Sequence, residues 1–229
     1  MTLVYVVLVP SVFVSHSHST MYRRLIKPAF DFLVACVLIV LLSPVLILGF
    51  VLAAVDSRSS PIFVHVRPGQ REKPIKLYKF RTMRGEFDSS GNQLTNLQRV
   101  TRIGNFLRRT SIDELPQLLN VLRGDISLVG PRPLEMRYLP HYTPEQRVRH
   151  QVKPGITGLA QVSGRNTLSW EEKFELDARY VRSVSIFLDA KILLLTCRKV
   201  FNWGEINSGT TNTMKPFVEK PKDEGQTDQ

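Results

Sequence analysis

Residues 32–55, FLVACVLIVLLSPVLILGFVLAAV, carry no charge and a single proline. A run of roughly 24 apolar residues falls in the length range of a membrane helix. Straight, at about 1.5 Å per residue, it would reach roughly 36 Å, enough to cross a hydrocarbon core of about 30 Å. Ser43 and Pro44 sit at its middle. Proline removes a backbone donor, and its ring opposes the carbonyl of Val40, so the helix should bend there. Each half is then about 17 Å long, suited to entering one leaflet and turning back. Cations flank both ends, Arg23, Arg24 and Lys27 before and Arg58, Arg67, Arg71 and Lys73 after. The positive-inside rule therefore assigns no orientation. A single span and a re-entrant hairpin both remain open on the residues alone.

Working outward, residues 1–20 hold an apolar stretch from Leu3 to Val14 without a basic leader, followed by Ser-His-Ser-His-Ser. An ordered pattern begins at Met21-Tyr22-Arg23-Arg24, so 1–20 reads as an extension, with Met21 the expected start of translation. On the other side, 62–66 and 75–80 alternate apolar and polar around Arg67-Pro68-Gly69-Gln70, the pattern of a hairpin. Residues 86–98 read as a polar, mobile loop. Helical periodicity covers 102–109, 111–122, 144–150, 170–182 and 186–203. The segment 153–165 is too rich in glycine for a helix and reads as a packed loop with short extended pieces, and the charged tail from Lys215 reads as disordered. The fold expected is α+β and mainly helical: a membrane anchor over 21–58, one catalytic domain over 59–203 containing a small hairpin, and a tail over 204–229.

Across 229 residues, 31 Lys and Arg stand against 20 Asp and Glu, a net charge of +11. Such a chain seeks polyanions: phosphates, nucleic acid or anionic headgroups. Cys36 and Cys197 both lie among apolar residues, and neither they nor the histidines show zinc or disulfide spacing. Any metal is expected on oxygen ligands.

Arg108-Arg109-Thr110-Ser111-Ile112-Asp113-Glu114-Leu115-Pro116-Gln117 places two adjacent carboxylates after two arginines. Ser111 followed three residues later by Glu114 matches a capping box, which explains the acids without any chemistry. The functional alternative is an anion-attracting helix start whose acid stays ionised as metal ligand or nucleophile. Adjacent side chains diverge on a helix, so the two need not share a role. In Gly130-Pro131-Arg132-Pro133 the prolines restrict the backbone around Arg132, suiting a guanidinium that grips phosphate. Lys79 closes a strand in Lys79-Phe80-Arg81-Thr82-Met83, and Arg165 ends the glycine-rich segment.

In order along the chain, Lys27-Pro28-x-x-Asp31-Phe32, the Ser43-Pro44 break, Arg67-Pro68-Gly69, Lys-Phe-Arg-Thr-Met, Thr-Ser-Ile-Asp-Glu-Leu-Pro-Gln, Gly-Pro-Arg-Pro, Lys153 to Arg165 and Phe174-Glu175-Leu176-Asp177 resemble the bacterial sugar transferases, the small monotopic phosphoglycosyl transferases. The resemblance runs from Met21 to Phe201 and is strongest to the branch acting on N,N'-diacetylbacillosamine. It implies transfer of a sugar-1-phosphate from a UDP-activated, N-acetylated sugar to undecaprenyl phosphate with release of UMP, the first membrane step of a glycan or glycoprotein pathway. It implies Asp113 as nucleophile and Mg²⁺ ligand forming a phosphosugar-aspartyl intermediate, with Glu114 as its catalytic neighbour. Lys79, Arg108, Arg132 and Arg165 become the phosphate-binding cations. Ser43-Pro44 becomes the breaker of a re-entrant helix that keeps the protein on the cytoplasmic face of the bacterial inner membrane, in contact with lipid. Asp189 matches a family acid whose role the motif does not define, and the motifs leave a homo-oligomer open.

Two rival classes stand beside this. A glycosyltransferase moving only the sugar would usually carry an Asp-x-Asp metal motif, which the sequence lacks. A non-catalytic basic membrane scaffold or nucleic-acid binder accounts for the charge, but no stacking-aromatic motif accompanies it, and nucleic acid is not an expected partner.

Overall fold

The structure, a computed structural model, describes residues 21–57, 59–85, 87, 92–164, 167–201 and 216–217. The proposed extension 1–20 and most of the tail lie outside them.

The apolar run forms two helices. A π-helical turn, Tyr22–Ile26, continues into α1, Lys27–Leu41, and α2 spans Ser43–Ser57. The axes bend by 69° at Leu42, and no single described helix is long and apolar enough to cross a membrane. Pro44 enters the first turn of α2, where its missing N–H is unneeded. Ser43 Oγ donates 2.8 Å to the carbonyl of Val40, the group the proline ring opposes. Most of this pair's apolar surface is open, with Val37, Val40, Leu41, Ile47 and Val55 all more than 60% exposed.

One stripe of α1 is buried: Lys27, Asp31 and Ala35, four residues apart. Lys27 reaches the C-terminal helices, and Asp31 reaches a buried serine in the middle of the chain. Asp189 accepts hydrogen bonds from Tyr22 Oη (2.7 Å), Lys27 Nζ (2.6 Å) and Tyr180 Oη (2.8 Å), and Asp31 accepts from Ser127 Oγ at 2.6 Å. Asp189 is thereby a structural clasp between the start of the bent helix pair and the C-terminal helices. Removing one partner of such a buried ionic group costs about 3–5 kcal/mol.

Strands β1, Ile62–Pro68, and β2, Pro74–Phe80, pair antiparallel with Val64 opposite Tyr78. The strands run further than the sequence suggests, through Arg67 and Pro68. Pro68 and Pro74 face each other at the end of the ladder, where neither N–H is required. The reversal lies at Gly69–Lys73, with Arg71 and Glu72 in left-handed conformations and Gly69 N donating 2.7 Å to Lys73 O.

The remaining helices are α3 (Asn96–Arg99), α4 (Arg102–Arg109), α5 (Gln117–Leu122), α6 (Pro144–Arg147), α7 (Leu159–Ser163), α8 (Trp170–Ser183) and α9 (Ile186–Phe201). Helix α6 passes into a 3-10 turn, Val148–Gln151. The expectation that 153–165 excludes helix is corrected. Helix α7 fits between Gly158 and Gly164, so glycines bound the turn rather than interrupt it. A pairing absent from the sequence reading is the short parallel one between β3, Ser127–Val129, and β4, Gly155–Thr157. The expected loop 86–98 lies partly outside the described residues and otherwise contains α3 and an isolated bridge from Phe87 to Gln93.

The main core gathers Ala35, Leu77, Leu118, Ile126, Leu128, Leu159, Tyr180, Leu188 and Ile192 from both sheets and helices α1, α5, α7, α8 and α9. Helix α9 divides its residues: Ile192 is fully buried, whereas Phe187 and Leu194 are 84% and 71% exposed. It is a core helix with a free apolar face.

Candidate active site

The acidic pair does not sit in a capping box. Ser111 takes a left-handed φ of 57° and makes no side-chain cap bond. The expected helix 111–122 is split into a 3-10 turn, Ile112–Glu114, and α5. A left-handed residue reverses the chain after α4 and aims the turn back at the hairpin. Ile112 anchors it against the cluster of Ala53, Phe80 and Leu107. Gly49 of α2 makes room, since a Cβ there would sit 2.7 Å from the Phe80 ring and 3.2 Å from Ile112 Cγ2. The acidic turn is thus seated directly on α2.

The two carboxylates have opposite surroundings. Glu114 Oε1 accepts from Lys79 Nζ and Arg132 Nη2, both at 2.7 Å. Burial opposes its ionisation, but Arg132 and Lys79 outweigh burial and hold the carboxyl far below the usual range. Asp113 is 9% exposed and has no hydrogen bond or ion pair among the described residues. Burial first, then the adjacent Glu114 charge, push its carboxyl up to about 6, against the pull of Lys79, Arg108 and Arg132. One acid is a fixed anion and its neighbour a carboxylate short of compensation, a division of the kind that separates roles in active sites.

A cleft of about 190 Å³ opens beside the pair, lined among others by Arg67, Lys79, Glu114, Arg132, Tyr138 and Trp170. The cations are placed by backbone-level contacts. Buried Asn120 of α5 accepts from Tyr78 N (3.0 Å) and donates to Lys76 O (2.7 Å), gripping β2 beside Lys79. Gly130 and Gly155 interlock: a Cβ on Gly130 would lie 2.9 Å from Gly155 N and 3.0 Å from the Pro154 carbonyl carbon. This close approach sets the Gly-Pro-Arg-Pro segment against β4. Behind it Arg149 donates 2.7 Å to the carbonyl of Arg132 and pairs at 2.8 Å with Asp177, both side chains buried. Arg149 also stacks over Tyr142 and Phe174.

Of the residues expected at the site, Lys79, Glu114 and Arg132 line the cleft, and Asp113 is buried next to Glu114. Arg108 is exposed, donates 2.8 Å to Thr82 Oγ1 and acts on Asp113 through its charge. Arg165 lies outside the described residues. The reading missed Arg67, Tyr138, Trp170 and Arg149. In the sequence Arg67 reads as a turn residue, although Arg-Pro-Gly is among the ordered motifs. The other three are far from the acidic pair in sequence and carry no local pattern.

No group of three or more His, Cys, Asp or Glu side chains capable of holding a metal occurs among the described residues. Mg²⁺ is commonly held by one or two carboxylates plus substrate phosphates and water, so a lone uncompensated Asp113 beside a cationic cleft fits that mode.

The bacterial sugar transferase family profile matches residues 22–203. Among curated relatives, the uncharacterized sugar transferase EpsL of Bacillus subtilis (strain 168) is 54% identical over 176 residues, covering 77% of this chain and 87% of its own. The UDP-glucose:undecaprenyl-phosphate glucose-1-phosphate transferase of Escherichia coli (strain K12) is 44% identical over 78% of this chain, which spans only 41% of that protein. The UDP-galactose-lipid carrier transferase of Erwinia amylovora is 39% identical over 80% of this chain and 42% of its own. With the match running from the bent helix pair through the acidic pair to the last described helix, the chain belongs to the bacterial sugar transferase family.

Proposed function

We propose that this enzyme transfers a sugar-1-phosphate from a UDP-sugar to undecaprenyl phosphate and releases UMP. The observation that carries the reading is the divided acidic pair: Asp113 buried with no hydrogen bond or ion pair among the described residues, Glu114 locked between Lys79 and Arg132 at a cleft. Relatives whose names specify undecaprenyl-phosphate sugar-phosphate transfer support it.

An Asp113 carboxylate oxygen attacks the β-phosphorus of the donor. The bond from that phosphorus to the bridging oxygen breaks, UMP leaves, and a phosphosugar-aspartate remains. A phosphate oxygen of undecaprenyl phosphate then attacks the same phosphorus, freeing Asp113 and forming the lipid diphosphate-sugar. Lys79 and Arg132, held by Glu114, offset the donor's charge so that an anionic carboxylate can approach. Arg108 and Arg165 are assigned to the same task. Mg²⁺ would be held by Asp113 with the donor phosphates, where it would neutralise further charge.

The bent helix pair is assigned as a re-entrant anchor in the cytoplasmic leaflet of the bacterial inner membrane. Its exposed apolar faces suit lipid, and the packing of the acidic turn on α2 supports a reaction at the level of a lipid-borne phosphate. The step would begin a glycan assembly pathway. The sequence resemblance favours an N-acetylated sugar, whereas relatives are named for glucose and galactose. A panel of UDP-sugars, each assayed with purified enzyme, undecaprenyl phosphate and Mg²⁺, tests the reading. UMP release that disappears in Asp113→Ala is expected, and the most active donor identifies the sugar. Release of UDP instead, or activity retained in Asp113→Ala, would overturn it.

A further inference from the structure

Phe217 lies beyond the span matched by the family, yet its ring returns to the catalytic domain. Its centroid stands 5.7 Å from Tyr138, 5.5 Å from Trp170, 5.9 Å from Tyr142 and 5.2 Å from Phe174. The four partners come from two places, Trp170 and Phe174 from α8, Tyr138 and Tyr142 from the segment before α6. Tyr138 and Trp170 meet edge to face at 5.8 Å and line the cleft. Tyr142 and Phe174 lie behind them, edge to face with each other and both within about 6 Å of Arg149, which holds the Arg132 carbonyl. One ring therefore packs against both supports of the cleft: its aromatic wall and the arginine behind its main cation.

We propose that Phe217 is a positioning residue, and that the C-terminal segment pins the aromatic wall of the cleft so that donor nucleotide binding depends on a part of the chain outside the family's common span. The inference rests on the cleft being the donor site. Tyr138, Tyr142 and Phe174 are each at most 5% exposed with it in place, so removing it opens a gap against three buried rings. Aromatic pairs are short-ranged and directional, so the wall loses its preferred geometry as well as cover.

The test uses the full-length protein in lipid nanodiscs, with Trp203→Phe so that Trp170 is the only tryptophan. Phe217→Ala, Phe217→Leu and Phe217→Tyr are compared by calorimetric titration with UDP, by donor kinetics and by Trp170 emission. Phe217→Ala is expected to weaken UDP binding and raise donor KM roughly fivefold, the scale set by loss of aromatic pairing. Its kcat should change less than twofold, and Trp170 emission should shift to the red. Phe217→Leu should fall between, and Phe217→Tyr should stay within twofold of the parent. Unchanged UDP affinity and emission in both Phe217→Ala and Phe217→Leu would overturn the inference, as would a loss confined to kcat. Weakened UDP binding in a protein whose parent releases no UMP from any donor would leave this inference standing and overturn the transferase reading alone.

Discussion

Replacing Asp113 by Asn separates a catalytic carboxylate from a structural one, because the two predict opposite changes in stability. Asp113 makes no hydrogen bond or ion pair among the described residues, and its carboxyl is pushed from an ordinary 3.8 up to about 6. For an acid raised in the folded state, the native protein binds more protons than the unfolded chain between these values. Its stability contribution is therefore whole below pH about 3.8 and lost as pH rises through about 6. At about 1.4 kcal/mol per pH unit, the ionised group costs up to roughly 3 kcal/mol at pH 8. Asparagine has nearly the same shape and no charge, so Asp113→Asn should be more stable at pH 8 by about 1–3 kcal/mol. For a chain of this size that is a rise in melting temperature of roughly 3–10 °C. At pH 4 the gain should vanish. The assay is thermal unfolding of both proteins in nanodiscs with EDTA, so that no divalent cation compensates the carboxylate, alongside UMP release in Mg²⁺. A variant that is inactive and more stable fits an active-site acid held at a cost to the fold. A variant less stable at pH 8 would refute the reasoning, since the carboxylate would then be holding the turn.

Glu114→Gln should leave Lys79 and Arg132 without their shared anion and raise donor KM about tenfold, the worth of one charge-assisted contact, as read in UMP-release kinetics. Arg149→Met alone should destabilise by about 3–5 kcal/mol by stranding buried Asp177, whereas Arg149→Met with Asp177→Leu should recover most of the loss in denaturant unfolding. His150 is buried, and burial first, then Arg149, pushes its imidazole down to about 4 from 6.5. The unfolded chain takes that proton first, so up to roughly 3 kcal/mol should be lost as pH falls from 6.5 towards 4, and His150→Gln should flatten the melting profile over that window. Cysteines placed singly at the exposed positions Arg24 and Ser60, in a background lacking Cys36 and Cys197, should react with an impermeant reagent from the same side of sealed vesicles. Reaction from opposite sides would rule out the re-entrant anchor.

Much of the secondary structure was legible because periodicity and caps are local. The predicted helix 102–109 matches α4, and Ser43-Pro44 marked the break between α1 and α2 to within a residue. The acidic pair was visible as residues but misread as geometry. Ser111-x-x-Glu114 satisfies the capping pattern, yet the left-handed Ser111 and the pull of Lys79 and Arg132 send the carboxylate elsewhere. Two cations from distant segments outweigh a single capping bond worth about 1 kcal/mol.

The sequence by itself determined the apolar run and its break, the hairpin, most of the longer helices and the motif positions Asp113, Glu114, Lys79 and Arg132. Each of these rests on neighbours within a few residues: an apolar run, a missing N–H, alternation, a motif. Only the tertiary structure decided that Asp113 has no hydrogen bond or ion pair among the described residues while Glu114 is paired, that Asp189 clasps the bent helix pair, and that Arg149 holds Arg132 from behind. It also decided that Phe217 closes an aromatic cluster with Tyr138 and Trp170. These depend on which distant groups share one low-dielectric space, and the free energy of a buried charge or ring is set by those neighbours rather than by its place in the chain.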